Sequence, residues 1–156
     1  MRISILSVGH RMPAWIQDGF QEYARRMPPE IRLELVELKP EERGPGRAAA
    51  KAMEDEGARI LAAVPDGASL LALDERGKAI STQGLSVMLA EWMRDGSHPA
   101  FAIGGADGLS PQVKERAQKL LSLSALTLPH GLVRVVLAEQ IYRAWTILAR
   151  HPYHRE

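Results

Sequence analysis

The last six residues of the chain, HPYHRE (151–156), concentrate side chains that could act on a nucleic acid. They supply two imidazoles, a phenol, a guanidinium and a carboxylate, and Pro152 restricts the backbone between them. Tyr153 and His154 can stack on bases, and Arg155 can bind phosphate. Because a chain end is usually frayed and inert, this composition favours a tail with a function.

Two predicted strands end in stretches that suit a small-molecule site. The apolar run 101–103 is followed by Gly104, Gly105 and Gly108, and glycine lets a backbone approach a ligand closely. The segment 121–128 alternates leucine with serine, alanine and threonine, so its peptide groups could reach the hydrogen-bonding edge of a planar ligand. An open α/β sheet binds ligands beyond the carboxyl ends of its strands. The two strand ends therefore predict a ligand crevice.

The last predicted helix, 132–150, carries charged and aromatic side chains outside its apolar stripe. Glu139 and Arg143 are spaced i,i+4, and the simplest interpretation is a surface ion pair. Tyr142 and Trp145 would be exposed on this helix, and a subunit interface is the natural cover for them. Arg134 also falls on the polar side of the helix.

Several other chemistries are disfavoured. The absence of cysteine excludes disulfides, thiolate metal sites and cysteine nucleophiles. No G-x-G-x-x-G follows the first strand, no P-loop is present, and the serines of SLSAL lie in no G-x-S-x-G elbow. His151 and His154 would share a face only on a helix that Pro152 disfavours, and no convergent carboxylate pair is visible. No metal site is expected.

Length and composition suit a single domain over residues 1–156 with its own core. A hydrophobic content of 46% and a charged content of 25% are ordinary for a soluble globular protein. The net charge of +1 disfavours binding of a polyanion by the whole surface, so any nucleic-acid contact must come from local patches. No apolar run approaches a bilayer span and no signal peptide is visible, so we expect a cytoplasmic protein without a membrane contact.

Apolar runs and helical periodicity alternate five times along the chain. Predicted strands cover 2–8, 31–38, 69–73, 99–103 and 121–128, and predicted helices follow each of them. The strand 31–38 has one wetter face and is placed near an edge. This alternation predicts an α/β fold, with a mostly parallel sheet covered by helices on both faces.

Three local expectations accompany this outline. Asp74 to Gly77 is interpreted as a turn that ends the third strand. The inward stripe of the fourth helix is assigned to Val113, Ala117 and Leu120. The segment KPEERGPGR (39–47) reads as a solvated loop, although Arg43, Arg47 and Lys51 could meet phosphate.

Taken together, these segments resemble the RlmH family, the small SPOUT-class methyltransferases of the bacterial large ribosomal subunit. The resemblance covers essentially the whole chain. The segments that carry it are SILSVGHRMPAW, FQEYARRMP, LLALDERGK, IGGADGLS, LSLSALTLPHGLVRVVLAEQIYRAW and HPYHRE. Together these motifs are highly specific, whereas the glycine loop alone would be weak.

The resemblance implies a fold, a cofactor and a substrate. The fold would be a SPOUT-type sheet with a C-terminal trefoil knot, an exception to the rule that chains are unknotted. The knot and cofactor region would cover about 99–150 and the substrate-side tail 151–156. Members are homodimers that bind S-adenosylmethionine in the knot. They methylate N3 of a pseudouridine in helix 69 of 23S rRNA on the assembled ribosome.

The resemblance also implies site residues. Those carried over for the cofactor are Leu73, Gly104, Gly105, Leu123, Ser124, Ala125, Leu126, Thr127 and Leu128. Those expected on the substrate side are Arg134, Arg143, Tyr153, His154 and Arg155. The tail is expected to lie across the dimer from the partner's cofactor.

Methyl transfer to N3 is an in-line displacement that also requires loss of the N3 proton. His154 is the candidate base because an imidazole titrates nearest neutral pH, and Glu139 is a weaker candidate. Arg155 or Arg143 could stabilise the deprotonated base, and Tyr153 completes the catalytic set. Two alternatives stay open: a SPOUT methyltransferase acting on tRNA, and a non-catalytic ribosome-binding module.

Overall fold

In this computed structural model, the described residues, 1–46 and 48–155, form a parallel five-stranded sheet flanked by helices. The strands are β1 (Arg2–Val8), β2 (Arg32–Leu38), β3 (Ser69–Ala79), β4 (Pro99–Ile103) and β5 (Lys119–Ser122). The helices are α1 (Ala14–Arg26), α2 (Ala49–Ala63), α3 (Thr82–Asp95), α4 (Pro111–Arg116) and α5 (His130–Leu148). The strand order is β2-β1-β4-β3-β5, so β2 lies at an edge as predicted. The predicted α/β class with a parallel sheet is confirmed.

Each face of the sheet is covered by its own layer of helices. Ile3 and Ile5 of β1 pack with α1, α3 and α5, whereas Leu6 and Val8 pack with α2 and α4. Successive side chains of a strand point to opposite faces, so one strand contributes to both cores. The two central strands β1 and β4 are buried along nearly their whole length, which explains their continuous apolar sequences.

The predicted turn after the third strand is wrong, because β3 continues to Ala79. Leu73 and Lys78 both lie opposite Leu121, so the residues between them bulge out of the ladder. Gly77 permits this arrangement: a Cβ there would lie 2.6 Å from the carbonyl carbon of Leu120. The glycine therefore allows two strands to approach closely and does not end one of them.

The predicted strand 121–128 is also too long. β5 ends at Ser122, and α5 begins at His130, two residues earlier than predicted. Local hydrogen bonds replace the ladder: the Ser122 hydroxyl donates to the Ser124 carbonyl, and the Leu126 N–H donates to the Ser124 hydroxyl. The alternation of leucine and serine in this segment therefore belongs largely to a structured loop.

The inward stripe predicted for the fourth helix is only partly right. Val113 is completely buried, but α4 ends at Arg116, and Leu120 lies in β5 with 36% of its surface exposed. Ser110 caps α4 by accepting the Val113 N–H, and Ser81 caps α3 by accepting the Gly84 N–H. Among the residues described, no helix combines the length and the apolar character that crossing a membrane requires.

Candidate active site

Three loops converge at the carboxyl ends of β3, β4 and β5 and enclose a cavity of about 440 Å³. They are the bulge of β3, the glycine loop 104–109 after β4, and the loop 123–129 after β5. Eight of the residues predicted to bind a cofactor line the cavity: Leu73, Gly104, Gly105, Leu123, Ser124, Leu126, Thr127 and Leu128. The ninth, Ala125, is exposed and does not line it. The volume is in the range of cofactor pockets.

The glycine loop is folded tightly on itself. The Gly108 N–H donates to the Gly105 carbonyl over 3.1 Å, and Gly108 has φ of +83°. A Cβ on Gly104 would lie 2.4 Å from the Gly108 carbonyl carbon, so this position accepts no side chain. At Gly104 and Gly105 the loop thus presents bare backbone to the cavity.

Polar contacts join the other two loops to the wall of the cavity. The Thr127 hydroxyl donates to a Glu75 carboxylate oxygen over 2.8 Å, which links the loop after β5 to the β3 bulge. Lys114 of α4 pairs with Asp74 at 2.7 Å. Burial opposes ionisation of Asp74, but Lys114 and the Arg76 N–H outweigh it, so the pKa of Asp74 lies below its ordinary value.

His130 and Arg134 occupy the first turns of α5, and their environments were not foreseen. His130 lines the cavity, and burial together with the charge of Arg134 lowers its pKa. Its imidazole is therefore neutral at neutral pH. Arg134 is only 1% exposed: its guanidinium donates to Glu37 over 2.8 Å and to the Ser7 hydroxyl over 3.0 Å. As placed, Arg134 ties α5 to the sheet from a buried position.

Two of the three residues that were predicted to meet phosphate, Arg43 and Lys51, are already paired with carboxylates. Arg43 pairs with Glu56 and Asp107, and Lys51 pairs with Asp55 at 3.1 Å. Arg47 lies outside the described residues. In the described part of the chain, no group of three histidine, aspartate or glutamate side chains is arranged to hold a metal ion.

The tail packs on α5 of its own chain. The Tyr153 ring lies 4.7 Å from the Tyr142 ring, and the Arg143 guanidinium lies 4.8 Å from the Tyr153 ring. The Tyr153 hydroxyl donates to Glu139 over 2.9 Å, and Arg143 donates to the same carboxylate oxygen over 2.8 Å. Glu139, Arg143 and Tyr153, all predicted site residues, therefore form one cluster, and the predicted surface ion pair is partly buried within it.

Two expectations for this region need correction. Tyr142 was expected to be exposed but is 6% exposed, because Tyr23 of α1 and Tyr153 pack against it. Trp145 is half-buried beside Tyr142 and His151. Neither ring needs a partner subunit as cover. Of the remaining predicted tail residues, His154 is half-buried and Arg155 is exposed.

The structure does not bring the tail and the cavity together within one chain. None of residues 151–155 lines the cavity. Tyr153 contacts Glu139, which lies six residues along α5 from Val133, the nearest cavity residue on that helix. At 1.5 Å per residue this is about 9 Å along the helix axis. The predicted cofactor residues and the predicted substrate residues thus form two separate groups.

The Tyr153–Glu139 hydrogen bond makes a testable prediction. Burial and the hydrogen bond to Glu139 raise the pKa of Tyr153 to about 12, so this phenol stays protonated at neutral pH. Glu139→Gln removes the negative charge that opposes ionisation. We expect the pKa of Tyr153 to fall towards the ordinary value of about 10.

Ultraviolet titration of phenolate absorbance measures this pKa. The chain contains three tyrosines, so Tyr153→Phe in each background assigns the transition. Circular dichroism at each pH verifies that the protein is folded. An unchanged pKa of Tyr153 in the Glu139→Gln variant would show that Glu139 does not raise the pKa of this phenol.

Comparison with known proteins agrees with this geometry. A family described as predicted SPOUT methyltransferases matches residues 1–154. Three proteins named ribosomal RNA large subunit methyltransferase H are similar over 155 residues, with 99% of each chain covered. They come from Paraburkholderia xenovorans (59% identity), Ralstonia pickettii (57%) and Burkholderia multivorans (57%). A family match over nearly the whole length, with relatives this similar, means that the chain belongs to the SPOUT methyltransferase family.

Proposed function

We propose that this enzyme transfers a methyl group from S-adenosylmethionine to N3 of a pseudouridine in helix 69 of 23S rRNA, on the assembled ribosome. The single observation that carries the proposal is the convergence of the three loops on one cavity at the carboxyl edge of the sheet. The names of the full-length relatives support the large-subunit rRNA as the substrate. A cytoplasmic location follows from a ribosomal substrate.

The residues of the cavity suit S-adenosylmethionine. Leu73, Leu126 and Leu128 supply apolar walls for an adenine ring, while the peptide groups of 123–128 can bind its polar edge. The Gly104–Gly105 backbone allows close approach, because no side chain intervenes. Carboxylates at the rim complement a cofactor that carries a sulfonium and an ammonium group.

The bound cofactor would supply an electrophilic methyl group on a sulfonium. The tail supplies the groups that act on the uracil ring: His154 as the acceptor of the N3 proton, and Arg155 as the cation that stabilises the resulting anion. Glu139 is the weaker base, because one of its oxygens already accepts hydrogen bonds from Tyr153 and Arg143. Tyr153, with its raised pKa, acts as a donor that orders this cluster.

The active site is composite, assembled from two copies of the chain. A tail that packs about 9 Å along α5 from its own cavity, and that adds no residue to its lining, leaves that cavity without the groups that would bind the base. In a homodimer with twofold symmetry, the tail of each protomer can close over the cavity of its partner. The proposed domain covers 1–156, with the trefoil knot and cofactor region at about 99–150 and the substrate-side tail from 151.

Three measurements test the proposal. Calorimetry with S-adenosylmethionine should show binding, and methylation assays should label ribosomes but not bulk tRNA. Mass spectrometry of helix 69 from a deletion strain should show loss of the methyl group, and the gene should restore it. Absence of cofactor binding would indicate a non-catalytic ribosome-binding module, and labelling of tRNA alone would indicate a tRNA methyltransferase.

A further inference from the structure

A buried carboxylate lies behind the glycine loop, outside the group of residues that line the cavity. Glu56 of α2 is 1% exposed, and its charge is matched by Arg43, which donates through both terminal nitrogens; the Nη2–Oε1 distance is 2.8 Å. The Glu41 N–H donates to the same carboxylate over 2.9 Å. A buried carboxylate is tolerated only when it is paired and hydrogen-bonded in this way.

Arg43 extends this network to the cofactor cavity. Its Nε donates to Asp107 over 2.9 Å, and Asp107 belongs to the glycine loop and lines the cavity. Its Nη1 also donates to the Glu41 carbonyl over 2.9 Å. One planar guanidinium thus bonds simultaneously to α2, to its own loop and to the glycine loop, which the point charge of a lysine could not do.

The glycine loop also rests directly on Glu56. A Cβ built on Gly105 would lie 3.2 Å from Glu56 Oε1 and 3.0 Å from Val8 Cγ1. The loop is therefore held from behind by the carboxylate and from the side by the Arg43–Asp107 ion pair. Both contacts fix the backbone of Gly104 and Gly105, which faces the cavity.

We infer that Arg43 is a positioning residue for the cofactor, which, together with Glu56 and Asp107, clamps the glycine loop in its ligand-binding shape. This inference rests on the proposed function of the cavity. The clamp acts on affinity: a loop that is already ordered loses less conformational entropy when it binds a ligand. Releasing one arm should therefore weaken cofactor binding without unfolding the protein.

Asp107→Asn removes the Arg43–Asp107 ion pair and leaves Glu56 paired with Arg43. The Asp107 side chain is 38% exposed, so the substitution buries no unpaired charge. We expect the Kd for S-adenosylmethionine, measured by calorimetry, to rise about tenfold, the effect of losing one charge-assisted hydrogen bond. The KM for the cofactor should rise by a similar factor, with a smaller change in kcat. Asp107→Glu should recover most of the affinity.

Asp55→Asn is the matched control. Asp55 is 39% exposed, lies on α2 one residue before Glu56, and pairs with Lys51, but it does not line the cavity. The Asp55→Asn variant should leave the Kd for S-adenosylmethionine unchanged within about twofold, because an exposed ion pair on a helix contributes little free energy.

A double-mutant cycle with Arg43→Gln separates the clamp from direct contact between Asp107 and the cofactor. If Asp107 acts through Arg43, then Asp107→Asn has little further effect on Kd once Arg43 is replaced. If the increases in Kd of the two single variants multiply in the double variant, the inference is overturned. A Kd for Asp107→Asn equal to that of the unsubstituted chain would overturn it as well. Failure of the unsubstituted chain to bind S-adenosylmethionine would instead reject the proposed function.

Discussion

Gly104→Ala is expected to weaken binding of S-adenosylmethionine at least about a hundredfold and to abolish methylation at ordinary cofactor concentrations. The added methyl group would lie 2.4 Å from the carbonyl carbon of Gly108 and 2.6 Å from its oxygen. Both atoms belong to the backbone of the same loop, so no side chain can rotate to relieve the clash. The loop must open, and a misplacement of about 1 Å in a binding site can cost two orders of magnitude. Calorimetry and a methylation assay measure the two effects.

Gly84→Ala provides the control for a glycine replaced elsewhere. A Cβ at this position in the first turn of α3 would lie 3.3 Å from the Ser81 hydroxyl oxygen and 3.7 Å from an Ile80 side-chain carbon. The backbone N–H that Ser81 accepts is retained in alanine. We expect unchanged cofactor affinity and equal or slightly greater stability. A Gly104→Ala variant that bound the cofactor as tightly as this control would show that the glycine loop is not part of the cofactor site.

The layered fold could be predicted from the sequence because its signals are local. Apolar runs such as 101–103 mark strands buried on both faces, and the alternation of apolar and charged residues in 31–38 marks a strand at the edge of the sheet. The residue pattern itself predicted a ligand crevice at two of the three loops, whereas the third loop, at Leu73, and the identity of the cofactor came from the resemblance to a family. The convergence of the three loops follows from the topology, since β3 lies between β4 and β5 in the sheet.

The errors have a common cause, which is that the deciding contacts come from distant parts of the chain. The β3 bulge was interpreted as a turn because Leu121, the residue opposite it on β5, lies more than forty residues away in the sequence. Arg134 was placed on the polar side of the helix because helical periodicity carries no information about the sheet. In the structure, Ser7 and Glu37 of neighbouring strands accept its hydrogen bonds. The only sequence signals for these partners were Ser7 within the otherwise apolar β1 and Glu37 within the alternating β2.

The network of Arg43, Glu56 and Asp107 was missed for the same reason. Its three members come from a loop, from α2 and from the glycine loop, and each is an ordinary charged residue in its local sequence. Charge in the segment 39–47 predicted a solvated loop, with binding of phosphate by Arg43 as the other interpretation. The structure shows that the arginine is occupied within the protein, because a buried carboxylate requires it.

A double variant of the tail, His154→Ala with Arg155→Ala, is expected to bind S-adenosylmethionine normally and to lose methylation by at least about a thousandfold. Removal of an acid–base group and removal of a charge-stabilising group each typically cost about a hundredfold or more. Tyr153 is retained, so its packing on Tyr142 and its bond to Glu139 keep the tail in place. Cofactor binding should survive because none of residues 151–155 lines the cavity of the same chain. Calorimetry and single-turnover methylation of ribosomes separate binding from reaction.

Combining this chain with the Gly104→Ala chain tests whether the tail serves the partner's cavity. Each homodimer is expected to be inactive, but a heterodimer purified through two different affinity tags contains one complete composite site. That site takes its cavity from the tail variant and its tail from the Gly104→Ala chain. Because a twofold dimer has two equivalent sites, the heterodimer should recover about half of the activity of the unsubstituted dimer. A tail acting on its own cavity would leave the heterodimer inactive, since each chain would then lack one essential part.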